Sequence, residues 1–302
     1  MRVHPQVAAA AKPPAGPDPA TDPMGAVRAE RAAMLAAVDH DGGPPIPLPV
    51  VTDVDADGVP ARLYATRADA PVLLYLHGGG WVAGSVETVD RLCRRIADRS
   101  GCAVLSVDYR LAPEHPFPAP IEDAETALAW LRREGAGLGV DTRRVAIGGD
   151  SAGGHLATIV ARRERDAGRP LDYQVLIYPV IDPTMSADSY DEMAGHGLDR
   201  QDMRFYWNAF APAVGDRFSP DASPMAADLA GMPPTLLITA EYDVLRDEGE
   251  EYAAALIEAG VSVVTVRYQG VNHAFARKLA LFDAARLAAD HIAAALRAAL
   301  MF

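Results

Sequence analysis

Residues 144–154 read Arg144-Val145-Ala146-Ile147-Gly148-Gly149-Asp150-Ser151-Ala152-Gly153-Gly154, and the order of residue types in them decides the fold. A short apolar run, 144–147, has the character of a strand; 152–167 has helical periodicity and stops at Gly168. Between them lies Gly149-Asp150-Ser151-Ala152-Gly153, a G-x-S-x-G pattern at a strand-to-helix turn. The sharpness of such a turn strains the backbone of its serine, and small neighbours at Gly149 and Gly153 let the chain pass closely. The Ser151 hydroxyl then projects at the carboxyl edge of a sheet, beside the positive end of a helix. Alone, the pattern arises by chance in glycine-rich chains. Between a strand and a helix it marks a nucleophile.

Strand, turn and helix alternate on both sides of this turn. Residues 72–76 form a wholly apolar run ending at His77-Gly78-Gly79-Gly80. The pattern predicts a helix over 90–100 closed near Gly101, a strand over 103–107, and a helix over 121–133 after the proline-rich bend 112–118. Later strands are expected at 175–178, 235–239 and 261–267, with helices 246–259 and 280–299 following the last two. Continuous apolar strands alternating with helices give an α/β fold, a mostly parallel sheet covered on both faces.

Two regions break the alternation. Pro and Ala dominate up to Asp22; a helix over 24–38 then puts Val27, Met34, Leu35 and Val38 on one side, and 41–49 is a Gly/Pro connector without regular structure. Residues 182–220 contain no strand and carry Phe205-Tyr206-Trp207, and so long an insertion in a compact domain is usually functional. The expected organisation is therefore a catalytic domain over 49–302 with a helical cap, built from 1–48 and the insertion 182–220.

Composition narrows the function. The chain has 302 residues, 50% of them hydrophobic, with 28 basic against 41 acidic side chains and a net charge of −13. That size suits one large domain with an accessory region. The acidic balance argues against a nucleic-acid partner and against docking on an anionic membrane. No stretch approaches the ~20 apolar residues of a membrane span, and the Val-Ala run near the N-terminus is shorter than the roughly 7–15 residues of a secretory leader and broken by Pro13, Pro14, Pro17 and Pro19. A soluble, cytoplasmic protein is expected. Cys93 and Cys102, read on a helix and the strand after it, make no disulfide framework, and no ligand-spaced Cys/His cluster suggests zinc. Neither metal nor cofactor is expected. The scarcity of lysine (Lys12 and Lys278 only) reads as compositional bias.

The chemistry needs an oxyanion hole, a base and a carboxylate. Successive glycines in His77-Gly78-Gly79-Gly80-Trp81 leave backbone N–H groups unobstructed, so Gly79 and Gly80, with Ala152 after the serine, are the candidate donors. His77 orders that loop rather than moving a proton. Among the eight histidines, His4 and His40 fall in the flap, His196 in the insertion, His291 on an amphipathic helix and His115 between prolines. His155, one turn beyond Ser151 and near the pocket, would have to point back toward the helix N-terminus while finding its own carboxylate. His273, in the loop after the last strand, is the favoured base. Asp243, at the end of the preceding strand, is the favoured orienting carboxylate; Glu241 competes, and Asp247 and Glu248 belong to the first turn of the next helix. The order Ser151, Asp243, His273 suits this topology. Trp81, Tyr109, Phe205, Tyr206 and Trp207 are candidates for a substrate pocket, with Asp150 beside the serine, or equally for packing between cap and core.

The motifs His77-Gly78-Gly79-Gly80-Trp81, Asp108-Tyr109-Arg110-Leu111-Ala112-Pro113-Glu114-His115-Pro116-Phe117-Pro118, Gly149-Asp150-Ser151-Ala152-Gly153-Gly154, 241–249 and Asn272-His273-Ala274-Phe275 occur in order. With them the sequence resembles the hormone-sensitive-lipase family of α/β-hydrolase carboxylesterases, in its bacterial branch, from about residue 45 to the C-terminus. The resemblance implies an α/β-hydrolase fold with a helical cap, a serine carboxylesterase acting on short- to medium-chain acyl esters, and a possible homodimer through the last strand and helix. Two positions depart from the family pattern: Val244 stands where proline is usual, and Ala274 where glycine is usual, which crowds the loop if a positive φ is needed there. An amidase or formamidase with the same triad remains open, since nothing in the sequence separates C–N from C–O cleavage. A non-catalytic ligand receptor of the kind related to this family loses the base, and His273 is present.

Overall fold

The computed structural model describes residues 3–9 and 21–301; Lys12 and the proline-rich run 13–19, on which the reading of the N-terminus rests, lie outside the described residues. The elements are α1 (Pro5–Ala9), α2 (Pro23–Gly42), β1 (Val50–Ala56), β2 (Val59–Ala65), β3 (Ala70–Leu76), α3 (Val86–Ser100), β4 (Ala103–Val107), α4 (Ala119–Glu134) and β5 (Val140–Asp150). They continue with α5 (Ala152–Asp166), β6 (Tyr173–Ile177), α6 (Ser189–Glu192), α7 (Arg200–Phe210), β7 (Thr235–Tyr242), α8 (Arg246–Glu258), β8 (Val263–Asn272) and α9 (Asp283–Leu300).

The strands form one sheet in the order β1-β2-β4-β3-β5-β6-β7-β8. From β4 to β8 neighbouring strands run parallel, while β2 is antiparallel to both β1 and β4. Strand side chains alternate between two cores, as the period of 2 requires. Leu74 and Leu76 point into a core shared with α4, α5 and α8, whereas Leu73 and Tyr75 point into one shared with α3 and α9. β3, β4, β6 and β7 are buried along their whole length, which explains their mostly apolar sequences.

The hairpin β1–β2 is absent from the sequence reading. Its two-residue turn, Asp57-Gly58, has φ 57° and 90°, the left-handed pair favoured where strands reverse direction. β1 is an edge strand and mostly exposed, so it lacks the apolar run that identified the inner strands. Helix α2 also runs on to Gly42, so Asp41 and Gly42, expected in the connector, are helical. Leu35, placed on its apolar side, is 51% exposed, while Val27 is fully buried. Cys102 immediately precedes β4 rather than lying on it.

Helix α2 is fixed to the loop after β3 by Arg31. Its guanidinium donates to Val82 O (2.7 Å) and Ala112 O (3.1 Å) and grips both oxygens of Glu114 at 2.8 Å. The same helix meets the insertion where the Tyr206 hydroxyl donates to Glu30 Oε1 at 2.7 Å. The insertion is anchored to α8 by Glu248, which accepts from Ile181 N (2.7 Å) and the Tyr190 hydroxyl (2.9 Å). Burial pushes the Glu248 carboxyl up to about 8.

Candidate active site

β5 ends at Asp150 and α5 begins at Ala152, leaving Ser151 alone in the turn with φ 55° and ψ −121°. This is the strained conformation expected of a nucleophile on a strand-to-helix turn. Gly149 and Gly153 are needed here, because a Cβ on either would collide with the carbonyl oxygen of Leu76. Ser151 N donates to Ile177 O at 2.8 Å, pinning the turn to β6.

The register of β7 against β8 sets the other two groups. Tyr242 pairs with Asn272, so the residues that follow, Asp243 and His273, leave the sheet side by side. His273 Nδ1–H donates to Asp243 Oδ2 at 2.6 Å, and the Ser151 hydroxyl donates to His273 Nε2 at 2.9 Å. An ionised carboxylate only accepts, which fixes this tautomer. Asp243 is 2% exposed, and its Oδ1 accepts from Leu245 N at 3.0 Å, so the carboxylate is held from both sides. The ring of Tyr178 packs against His273 at 4.8 Å. Glu241, the competing acid, faces elsewhere: its Oε2 accepts from Gly270 N at 2.6 Å and braces the end of β8.

The glycine loop lies across the turn. Gly79 and Gly80 have φ 133° and 57°, and neither N–H meets an acceptor among the described residues. Ala152 N is the first N–H of α5, which has no intrahelical acceptor. The loop is held by Asp150, whose Oδ1 accepts from Gly78 N (3.0 Å) and from the Tyr75 hydroxyl (2.9 Å), and by the Tyr109 hydroxyl, which donates to His77 O at 2.6 Å. His77 stacks on Tyr109 at 4.2 Å, and burial holds its pKa down. His155 is buried too, its pKa down to about 4, with Trp81 Nε1 donating to its Nδ1 and its Nε2–H donating to Ala222 O. Among the described residues, no group of three or more His, Cys, Asp or Glu is arranged to hold a metal ion.

A family model described as alpha/beta hydrolase fold matches residues 73–277. The chain belongs to this family. It is 38% identical over 245 residues to an ethyl acetate hydrolase of Pseudomonas putida, covering 78% of this chain and 77% of that one. It is 39% identical over 251 residues to the carboxylesterase NlhH of Mycobacterium tuberculosis, covering 80% and 79%. Among solved structures, a hyperthermophilic esterase from the archaeon Pyrobaculum calidifontis superposes with a TM-score of 0.86 at 42% identity, over 90% of this chain and 93% of that one. Within the α/β hydrolases the chain is a carboxylesterase of the hormone-sensitive-lipase family, a carboxylic ester hydrolase.

In this α/β hydrolase Trp81, Trp207 and Asp150, among the candidates for a substrate pocket, are packed into the interior. Trp81 and Trp207 are fully buried and pack on each other and on Phe210 and His155, so they join the insertion to the core. Asp150 is fully buried as the brace of the glycine loop. Phe205 and Tyr206 keep some exposure, and the Tyr206 ring lies where a Cβ on Gly80 would be. The sequence reading missed Glu30, whose signal was only an acid on the flap helix; burial raises its pKa. A cavity of about 90 Å³ lies between α2, α3 and the segment after His273, lined by Met34, Val38, Thr88, Leu92, Ala274 and Arg277.

Ala274 has φ 61°, the positive value that the departure from glycine made costly. Ala274→Gly relieves that strain at the expense of some unfolded-chain entropy, so it should stabilise the fold by about 1 kcal/mol. The expected readout is a rise in Tm of roughly 2 °C.

Proposed function

We propose that this carboxylesterase hydrolyses short- to medium-chain acyl esters by a covalent route, with Ser151 as nucleophile, His273 as base and Asp243 as its orienting carboxylate. The observation that carries the reading is the unbroken hydrogen-bonded chain from Ser151 Oγ through His273 to Asp243 at the carboxyl edge of the sheet. His273 takes the hydroxyl proton as Ser151 attacks the ester carbonyl, and Asp243 stabilises the imidazolium. The N–H groups of Gly79, Gly80 and Ala152 receive the oxyanion, each worth on the order of 3 kcal/mol in the transition state. His273 returns its proton to the leaving alcohol, then activates the water that releases the acid.

Several features support the finer reading. Ser151 is 7% exposed, which suits a small substrate. The Glu30–Tyr206 contact supports 1–48 and 182–220 acting together as a cap over the body 49–302. The insertion carries many charges, as suits a water-soluble ester rather than a lipid surface. No helix among the described residues is long and apolar enough to cross a membrane. The free, buried Cys93 and Cys102 fit a reducing, cytoplasmic compartment. Edge strand β8, with Val264 half exposed, is where a homodimer would join.

The test is hydrolysis of p-nitrophenyl esters from acetate to palmitate. The rate should peak between acetate and octanoate and fall steeply beyond. A maximum at palmitate, or inertness towards every ester, overturns the reading.

A further inference from the structure

Asp150 precedes the nucleophile, and its carboxylate is fully buried. Oδ1 holds Gly78 N and the Tyr75 hydroxyl, but Oδ2 has no hydrogen-bond partner. A Cβ on Gly78 would lie 2.6 Å from Oδ2, so the carboxylate packs directly against the glycine loop. Two neutral donors do not compensate a buried anion; a cation does. The group that approaches Oδ2 is Arg277, whose Nε lies 3.5 Å away, an ion pair beyond hydrogen-bond length.

Arg277 closes the turn Phe275–Arg277 that follows His273 and Ala274. Its side chain is 20% exposed and borders the cavity of about 90 Å³ beneath α2. No hydrogen bond of its guanidinium with another described side chain competes for it. One ion pair therefore spans three segments: the serine turn that carries Asp150, the glycine loop that Asp150 holds, and the histidine loop that carries Arg277.

We propose that Arg277 is a positioning residue for ester hydrolysis: as counter-ion of Asp150, it keeps the Gly78–Gly80 loop set against Ser151. This rests on the reading of Gly79 and Gly80 as oxyanion donors. Without Arg277 the carboxylate is an uncompensated buried charge, and the loop it holds shifts or loosens. The loss falls on the step in which negative charge develops rather than on substrate binding.

The test is a cycle of Arg277→Met, Asp150→Asn and the double variant, with Arg277→Lys as the conservative control. R277M should lower kcat by about tenfold to a hundredfold, less than the 10²–10³ of losing a donor outright, with KM nearly unchanged. R277K should recover most of that loss. The double variant should be no slower than D150N alone, because neutralising Asp150 removes the need for a counter-ion. It should also melt above R277M, a readout that needs no substrate and so tests the ion pair even if the esterase reading fails. If R277M does not fold, recovery of folding in the double variant is the same result. Wild-type kcat in R277M, independent losses in the double variant, or a double variant melting below R277M would overturn the proposal.

Discussion

Replacing Ser151 with alanine should lower kcat for a p-nitrophenyl ester by about 10⁵-fold or more, a loss of roughly 7 kcal/mol of transition-state stabilisation, while leaving the fold intact. The size follows from the absence of a substitute. Asp150, the adjacent side chain, is fully buried and committed to Gly78 and Tyr75, and His273 would have no hydroxyl to activate. What survives is binding plus the oxyanion donors, which by themselves accelerate hydrolysis by about 10³–10⁴ over water. Stability should rise slightly if it changes, since alanine leaves no buried hydroxyl to satisfy. The checks are steady-state kinetics on purified protein beside a melting curve, with KM expected to move little. Alanine at 151 retaining a tenth of the rate would mean another group attacks.

The second large effect concerns a proton rather than a nucleophile. Asp243→Asn should lower kcat by about 10⁴-fold with nearly unchanged geometry. In the native arrangement Asp243 accepts from Nδ1–H, which leaves Nε2 free to take the proton of Ser151. An asparagine in the same place can turn its amide N–H towards Nδ1, which puts the proton on Nε2 and abolishes the base. The loss should shrink at alkaline pH, where hydroxide deprotonates the serine without help. Comparable substitution of Glu241, which braces Gly270, should move stability more than rate. If Glu241→Gln proved the more damaging to kcat, the assignment of the carboxylate would be reversed.

Much of this site was legible because its chemistry is written in local chain geometry. G-x-S-x-G between a strand and a helix has few physical interpretations, and Ser151 adopts the strained turn that the pattern implies. Asp243 and His273 could be placed because parallel strands bring successive loops to one edge, and the pairing of Tyr242 with Asn272 carries this out. The inner strands were found from their apolar runs. The hairpin β1–β2 was missed because an edge strand exposes half its residues and blurs that signal, although Asp57-Gly58 marked the turn. The aromatic candidates were left open between pocket and packing for a different reason. An aromatic residue near an active site has the same sequence whether it faces substrate or seals cap to core, and only tertiary packing placed Trp81 and Trp207 in the second class. Arg277 lay equally beyond reach, since its significance depends on Asp150, more than a hundred residues earlier in the chain.

Every step of the proposed hydrolysis passes through acylation of Ser151 Oγ. The most direct measurement is reaction of the folded protein with diethyl p-nitrophenyl phosphate, followed by peptide mass spectrometry. The account predicts stoichiometric release of nitrophenol, parallel loss of esterase activity, and one phosphoryl adduct carried by Ser151, with no adduct in Ser151→Ala. Loss of activity with the adduct on another residue, or continued hydrolysis by protein fully modified at Ser151, would contradict it.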